Sequence, residues 1–213
     1  MRLFDYHASG NCYKVRLALA ELSVPYERVP VDIFAGETLT DEFAQLNPSR
    51  TTPVLVPDAG SPLPESGAIL LHLAEGTPLL PDEPADRAQV YRWLFFEQAE
   101  LMPAIAGLRF RLLTGRLEPD APAAQRRRRA GDDLLGLVAD HLTGSEFLVR
   151  TGYSVADIAL YAYVHVAPDA GFTLPDAVRT WIERVEAQPG FMNDLEPYPP
   201  NARPDASVSI YDA

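Results

Sequence analysis

The sequence predicts an α+β first half followed by an all-helical second half, in a chain of 213 residues. Strand-like and helix-like runs alternate up to about residue 76. Prolines Pro78, Pro81 and Pro84 then crowd a short stretch that reads as a linker. Beyond it only helical periodicity remains.

Within the first half the order reads β-α-β-α-β-β-α. Arg2 to Tyr6 is a strand-like run, and Ala8-Ser9-Gly10-Asn11 is a turn. From Cys12 to Leu22 the residues Val15, Leu17, Ala18, Leu19 and Leu22 fall at helical spacing, and Pro25 ends the pattern. Tyr26 to Val31 reads as a second strand. Thr40 is placed to cap a short helix through Leu46. Asn47 to Pro53 is a loop, Val54-Leu55-Val56 a third strand, and Asp58 to Ser61 a hairpin-like turn leading to Pro62-Leu63-Pro64. Glu65-Ser66-Gly67 then opens a helix through Ala74.

In the second half, helices are expected over 86–114, 121–142, 154–167 and 175–188. The third is apolar nearly all round, with Ala156, Ile158, Ala159, Tyr161, Ala162, Val164 and Val166, so it belongs at the centre. The tail from Pro197 carries Pro199, Pro200 and Pro204 and reads as extended or loosely ordered. The expected boundaries are therefore residues 1–76, a linker at 77–85, a helical domain at 86–196, and a proline-rich tail at 197–213.

Composition narrows the chemistry. With 18 basic and 30 acidic residues the formal net charge is −12, a field that repels nucleic acid and anionic membrane surfaces. No run of about 20 apolar residues appears, so no membrane span is expected. The first residues carry an early acid and no long apolar stretch, unlike a signal peptide, so a cytoplasmic setting is expected. One cysteine, Cys12, rules out an intramolecular disulfide and a multi-cysteine structural zinc site. His72, His141 and His165 have no metal-ligand spacing, His7 near the first loop reads as a structural or solvated histidine, and no metal is expected.

Three segments of the first half carry candidate chemistry. Ser9-Gly10-Asn11-Cys12 sits at a helix start, where backbone N–H groups and the dipole favour an anion; equally, Ser9 or Asn11 simply caps the helix. Thr52-Pro53 precedes an apolar strand, and a cis bond there would leave Thr52 backbone groups available to an extended peptide. Ser66 either caps its helix or holds a carboxylate with its hydroxyl and N–H, with Glu65 meeting an ammonium.

Taken together and in this order, these pieces resemble the glutathione transferase superfamily. The match runs through Ser9 to Arg16, Phe34-Ala35-Gly36-Glu37, Asn47-Pro48, Thr52-Pro53-Val54-Leu55 and Glu65-Ser66-Gly67-Ala68-Ile69. It continues into Pro78-Leu79-Leu80-Pro81 and Trp93 to Gln98. The chain looks most like bacterial, theta-like members with a serine in the first loop.

The resemblance implies a thioredoxin-like N-terminal domain with a mixed sheet and an all-α helical-bundle C-terminal domain that forms the electrophile pocket. It also implies a homodimer in which glutathione is co-substrate and a hydrophobic electrophile its partner, a detoxification chemistry. Carried over by position, Ser9 matches the catalytic hydroxyl and Pro53 the cis-proline. Thr52 would pair main chain with the cysteinyl part of glutathione, and Glu65 and Ser66 would hold its γ-glutamyl end. Ser154-Val155-Ala156-Asp157 matches a helix-capping box.

The physical magnitudes agree. A free thiol ionises near pH 8.5, so little thiolate exists at neutrality. Lowering that pKa by about two units needs about 2.7 kcal/mol. One charge-assisted hydrogen bond contributes about 1.5–3 kcal/mol and a helix dipole up to about 1.

Two positions depart from the pattern. Relatives commonly carry a glycine near Arg50 and a basic or amide residue at Thr51, where the glycyl carboxylate binds. Arg50 either supplies that charge or is a solvated loop residue. Cys12 and Asn11 open the alternative of a glutathione-dependent disulfide reductase or peroxidase, and a non-catalytic binding protein on this fold is a third reading.

Overall fold

The computed structural model describes residues 1–212 and divides into two compact units. One comprises residues 1–73 together with the segment from Met192 on; the other comprises residues 74–191.

The first unit is built on β1 (Arg2–Asp5), α1 (Gly10–Glu21), β2 (Glu27–Pro30), α2 (Asp41–Leu46), β3 (Val54–Val56), β4 (Leu63–Pro64) and α3 (Ser66–Ala74). The sheet order is β2-β1-β3-β4, with β1 parallel to β2 and antiparallel to β3, and β3 antiparallel to β4. This is the mixed, thioredoxin-like sheet.

Register explains how so short a sheet carries two cores. Leu3 faces Leu55 across β1 and β3, and Phe4 faces Val54. Successive side chains point to opposite faces. Leu3 and Leu55 therefore pack with Val15 and Leu19 of α1 and Ile69 of α3. Phe4 and Val54 turn the other way, onto Phe43 and Leu46 of α2. Truncating a fully buried leucine such as Leu55 to alanine would cost about 2–5 kcal/mol.

Caps set the helix starts. Thr40 Oγ1 accepts the Phe43 N–H at 3.2 Å, as its position in the sequence suggests. Helix α1 is less amphipathic than its spacing implies, because every residue from Cys12 to Leu19 is buried, Lys14 and Arg16 included.

The second unit contains α4 (Pro84–Phe96), α5 (Gly107–Leu113), α6 (Pro122–Leu142), α7 (Val155–Val164) and α8 (Asp176–Glu186). The single helix expected over 86–114 is interrupted by a π-helical stretch, Glu97–Ala106, that contains Pro103. Proline has no N–H to donate and its ring crowds the carbonyl four residues back, so a wider local register accommodates it. All ten residues of α7 are buried, as expected for the central helix. Its N-terminus carries the capping box of Ser154 and Asp157.

The tail is docked rather than loose. It contains short 3₁₀ turns at Pro200–Ala202 and Ile210–Asp212, and a parallel bridge between Val208 and Ala35. Among the described residues, no helix is long and apolar enough to cross a membrane, and no three His, Cys, Asp or Glu side chains are grouped to hold a metal ion.

Candidate active site

The site is built where β1 hands over to α1. The chain turns after Asp5, and the Ser9 N–H donates to the Tyr6 carbonyl at 3.0 Å. Ser9 is the N-cap of α1, extended at φ −86° and ψ 124°, and its Oγ accepts the Cys12 N–H at 3.4 Å. The capping reading of Ser9 therefore holds. It does not exclude the chemical one, because a hydroxyl that accepts one bond still has a proton to donate. An N-cap hydroxyl at the positive end of a 12-residue helix is well placed for an anion.

Asn11, in the first turn of the same helix, meets the second part of the site. Ser66 is the first residue of α3 and is buried, and its Oγ donates to Asn11 Oδ1 at 3.0 Å. The residue before it, Glu65, is exposed and held at φ 70°, a left-handed conformation that a non-glycine residue adopts at a cost of about 1–3 kcal/mol.

Thr52-Pro53 is a cis peptide bond, as the resemblance implies. Among the described residues, none takes the backbone N–H or C=O of Thr52. Ser9, Asn11, Cys12, Thr52 and Ser66 are thus brought to one end of the sheet by α1, the Pro53 turn and α3.

Cys12 is fully buried, and its Sγ accepts the Tyr6 N–H at 3.3 Å. Burial, with Asp5 adding to it, pushes the thiol up to about 12. Hydrogen bonds from Thr52, Tyr6 and Ser9 favour the thiolate but do not overcome desolvation. A reactive cysteine needs the opposite surroundings, exposed and electropositive.

Arg50 is directed elsewhere. It sits at φ 56°, a left-handed conformation that glycine adopts more readily. Its Nη1 donates to the carbonyls of Leu39 and Thr40, and its Nη2 pairs with Asp41 at 3.6 Å. The guanidinium fastens the loop that starts α2.

A buried ionic cluster beneath the first loop was not read from the sequence. Arg16 pairs with Asp5 and Asp194, and its Nη2 donates to the His7 carbonyl at 3.0 Å. Asp5 also pairs with Arg28. The available signal was an arginine inside the apolar run from Cys12 to Leu19, which requires a carboxylate partner once buried.

Similarity to known proteins agrees with this geometry. The glutathione S-transferase N-terminal domain model matches residues 3–81, and the C-terminal domain model matches residues 97–189. The chain is 32% identical over 188 residues to the disulfide-bond oxidoreductase YfcG of Escherichia coli, covering 84% of this chain and 87% of that protein. It belongs to the glutathione transferase superfamily.

Among solved structures, the glutathione S-transferase from Pseudomonas fluorescens is 40% identical, covers 92% of this chain and 98% of that one, and superposes with a TM-score of 0.88. A glutathione transferase from Pseudomonas putida, solved with one glutathione disulfide bound per subunit, is 28% identical with a TM-score of 0.79. That match covers 89% of this chain and 87% of the other. Within the superfamily fold, the first loop, the Pro53 turn and the start of α3 lie together in the first unit of this transferase-type chain.

Proposed function

We propose that this protein is a glutathione S-transferase whose first loop stabilises the glutathione thiolate for attack on a hydrophobic electrophile. The observation that carries the reading is the hydrogen bond between Ser66 and Asn11, which draws the N-termini of α3 and α1 together beside Ser9. Two helix N-termini at one place favour a ligand carrying separate negative charges. Glutathione has two carboxylates and an ionisable thiol.

In this reading Ser9 donates its hydroxyl proton to the sulfur in a hydrogen bond, and it is not a covalent nucleophile. Thr52 pairs main chain with the cysteinyl unit, and Pro53 shapes that turn. Ser66 receives the γ-glutamyl carboxylate, and Glu65 meets the ammonium. Arg50 acts through the α2 loop rather than on the glycyl carboxylate. The thiolate sulfur forms a bond to the electrophilic carbon as the leaving group departs. No metal is required, since the hydroxyl and the helix dipole supply the stabilisation. A cytoplasmic homodimer is part of the same reading, and light scattering tests the dimer.

A second reading is favoured by the likeness to YfcG and to the disulfide-bound structure from Pseudomonas putida. In it the same loop holds glutathione sulfur for exchange with a disulfide, with Asn11 beside the sulfur. The buried Cys12, with its thiol pushed up to about 12, argues against a protein cysteine as the exchanging group.

The test is turnover of an activated aryl chloride and of a small organic disulfide, each with glutathione. Ser9→Ala is expected to lower aryl transfer about 100-fold, the loss of about 2.7 kcal/mol of thiolate stabilisation. Transfer unchanged in Ser9→Ala would sink the first reading. Disulfide reduction without aryl transfer would select the second.

A further inference from the structure

The segment from Met192 on is tied to the first unit at widely spaced points. The Tyr13 hydroxyl donates to the Met192 carbonyl at 2.9 Å. Arg16 Nε reaches both carboxylate oxygens of Asp194, at 3.0 and 2.9 Å. His7 contacts Asp194 at 3.3 Å and Glu196 at 2.8 Å. Asn201 Nδ2 donates to Asp32 at 2.9 Å.

Near the end of the chain, the Val208 N–H donates to the Phe34 carbonyl at 2.8 Å. Gly36 lies against Val208 so closely that a Cβ there would come within 3.3 Å of the valine side chain. The Tyr211 ring sits 6.5 Å from that of Phe34, and Phe34 meets Tyr6 edge-on at 5.5 Å. Tyr6 in turn donates its N–H to Cys12.

Arg16 is the joint of this arrangement. It is 1% exposed, and one guanidinium binds Asp194 of the tail and the carbonyl of His7, two residues before Ser9. Removing Asp194 leaves that buried cation with the His7 carbonyl and one carboxylate, Asp5, which Arg28 also claims. The Ser9 loop therefore takes its position partly from the tail.

We propose that this segment is a strap that positions the thiol site, with Asp194 a positioning residue for the Ser9 loop acting through Arg16, and with Val208 and Tyr211 fastening the end of the strap to Phe34 and Gly36. The proposal rests on the thiol-binding reading given above. The Tyr211 ring is half exposed while its other side lies on Phe34, so the strap ends as a surface layer on the Phe34 side of the loop.

The experiment compares the full chain with a chain ending at Ala206 and with Asp194→Asn and Asp194→Glu. Glutathione affinity is read by calorimetry, and ionisation of the bound thiol by thiolate ultraviolet absorbance across pH. The shortened chain is expected to bind glutathione about tenfold more weakly, the scale of a small loss of orientation, while melting within a few degrees of the full chain. Asp194→Asn is expected to move thiol ionisation to higher pH, and Asp194→Glu to restore it. Unchanged or tighter glutathione binding by the shortened chain overturns the proposal, the tighter result meaning a strap that occupies the site. A full chain that binds no glutathione refutes the functional reading instead. The strap is then judged by hydrogen exchange without ligand: slow exchange of the Val208 amide supports docking, and exchange at the rate of an unstructured peptide overturns it.

Discussion

The Ser66 hydroxyl donates to the Asn11 side-chain oxygen across 3.0 Å, linking the starts of α3 and α1 over 55 residues of sequence. Neither side chain serves only its own helix. Ser66 is 4% exposed, so its hydroxyl has little access to water and its partner matters. The bond makes the two N-termini one structural object, and it orients the Asn11 amide.

This pair should couple in a double-mutant cycle. Asn11→Ala and Ser66→Ala are each expected to weaken glutathione binding, with an interaction energy of about 0.5–1.5 kcal/mol between them. Calorimetric affinities of the two single variants and the double variant check it. Additive effects would mean that the residues act separately.

Ser9 caps α1, and in the proposed function it also donates to the thiolate; different substitutions separate the two. Ser9→Ala removes both the cap and the donor, and should lose about 1 kcal/mol of stability besides its thiolate stabilisation. Ser9→Thr keeps both groups and should retain most of the turnover. Ser9→Asp keeps a capping oxygen but places a carboxylate where the thiolate belongs. It is expected to fold with near-normal stability in urea while failing in turnover.

Much of this layout was legible in the sequence. Ser9 and Thr40 stand where their helices begin, because capping chemistry is local. The cis Thr52-Pro53 bond came from the resemblance alone. The burial of Arg16 was not legible, because its partner Asp194 lies 178 residues away and no periodicity links them. The docked tail is missed for the same reason, being held by single contacts such as that of Val208 on Phe34. Nor does spacing reveal the π-helical stretch, since Pro103 signals a break in a helix without saying how the chain absorbs it. Arg50 turns toward α2 because the carbonyls of Leu39 and Thr40 and the carboxylate of Asp41 lie together there.

Cys12 should be inert at the pH where exposed thiols react. Its thiol is pushed from 9.0 to about 12, so alkylation by iodoacetamide at pH 9 is expected to run about 500-fold slower than for a model thiol. The native state favours the protonated thiol. The stability contribution of Cys12 is therefore full below pH 9 and lost as pH rises toward 12. Cys12→Ala should leave aryl transfer within about twofold and lose about 1–2 kcal/mol of stability. Rapid alkylation of the native chain at pH 8 would contradict this account and revive a cysteine mechanism.

Asp157 should dominate the stability of the helical unit. Its buried carboxylate accepts the Leu148 N–H and the Trp181 indole N–H on Oδ1, at 3.0 and 2.9 Å. On Oδ2 it accepts the Ser154 N–H at 3.0 Å and the Ser154 hydroxyl at 3.1 Å. Asp157→Ala leaves all of these donors buried without a partner, at about 1–3 kcal/mol for each, so that variant is expected to fail to fold. Asp157→Asn keeps one acceptor oxygen and should fold with reduced stability. Burial lifts the carboxyl from 3.8 to about 6 against the pull of its donors. The native state therefore holds its proton more tightly than the unfolded chain. The contribution from this group is full below pH 3.8, falls as pH rises through about 6, and is constant above that. Urea midpoints followed by tryptophan fluorescence from pH 4 to 8 should show that decline as an excess over Asp157→Asn, which has no proton to lose; parallel profiles would mean that Asp157 ionises as freely in the fold as in the open chain.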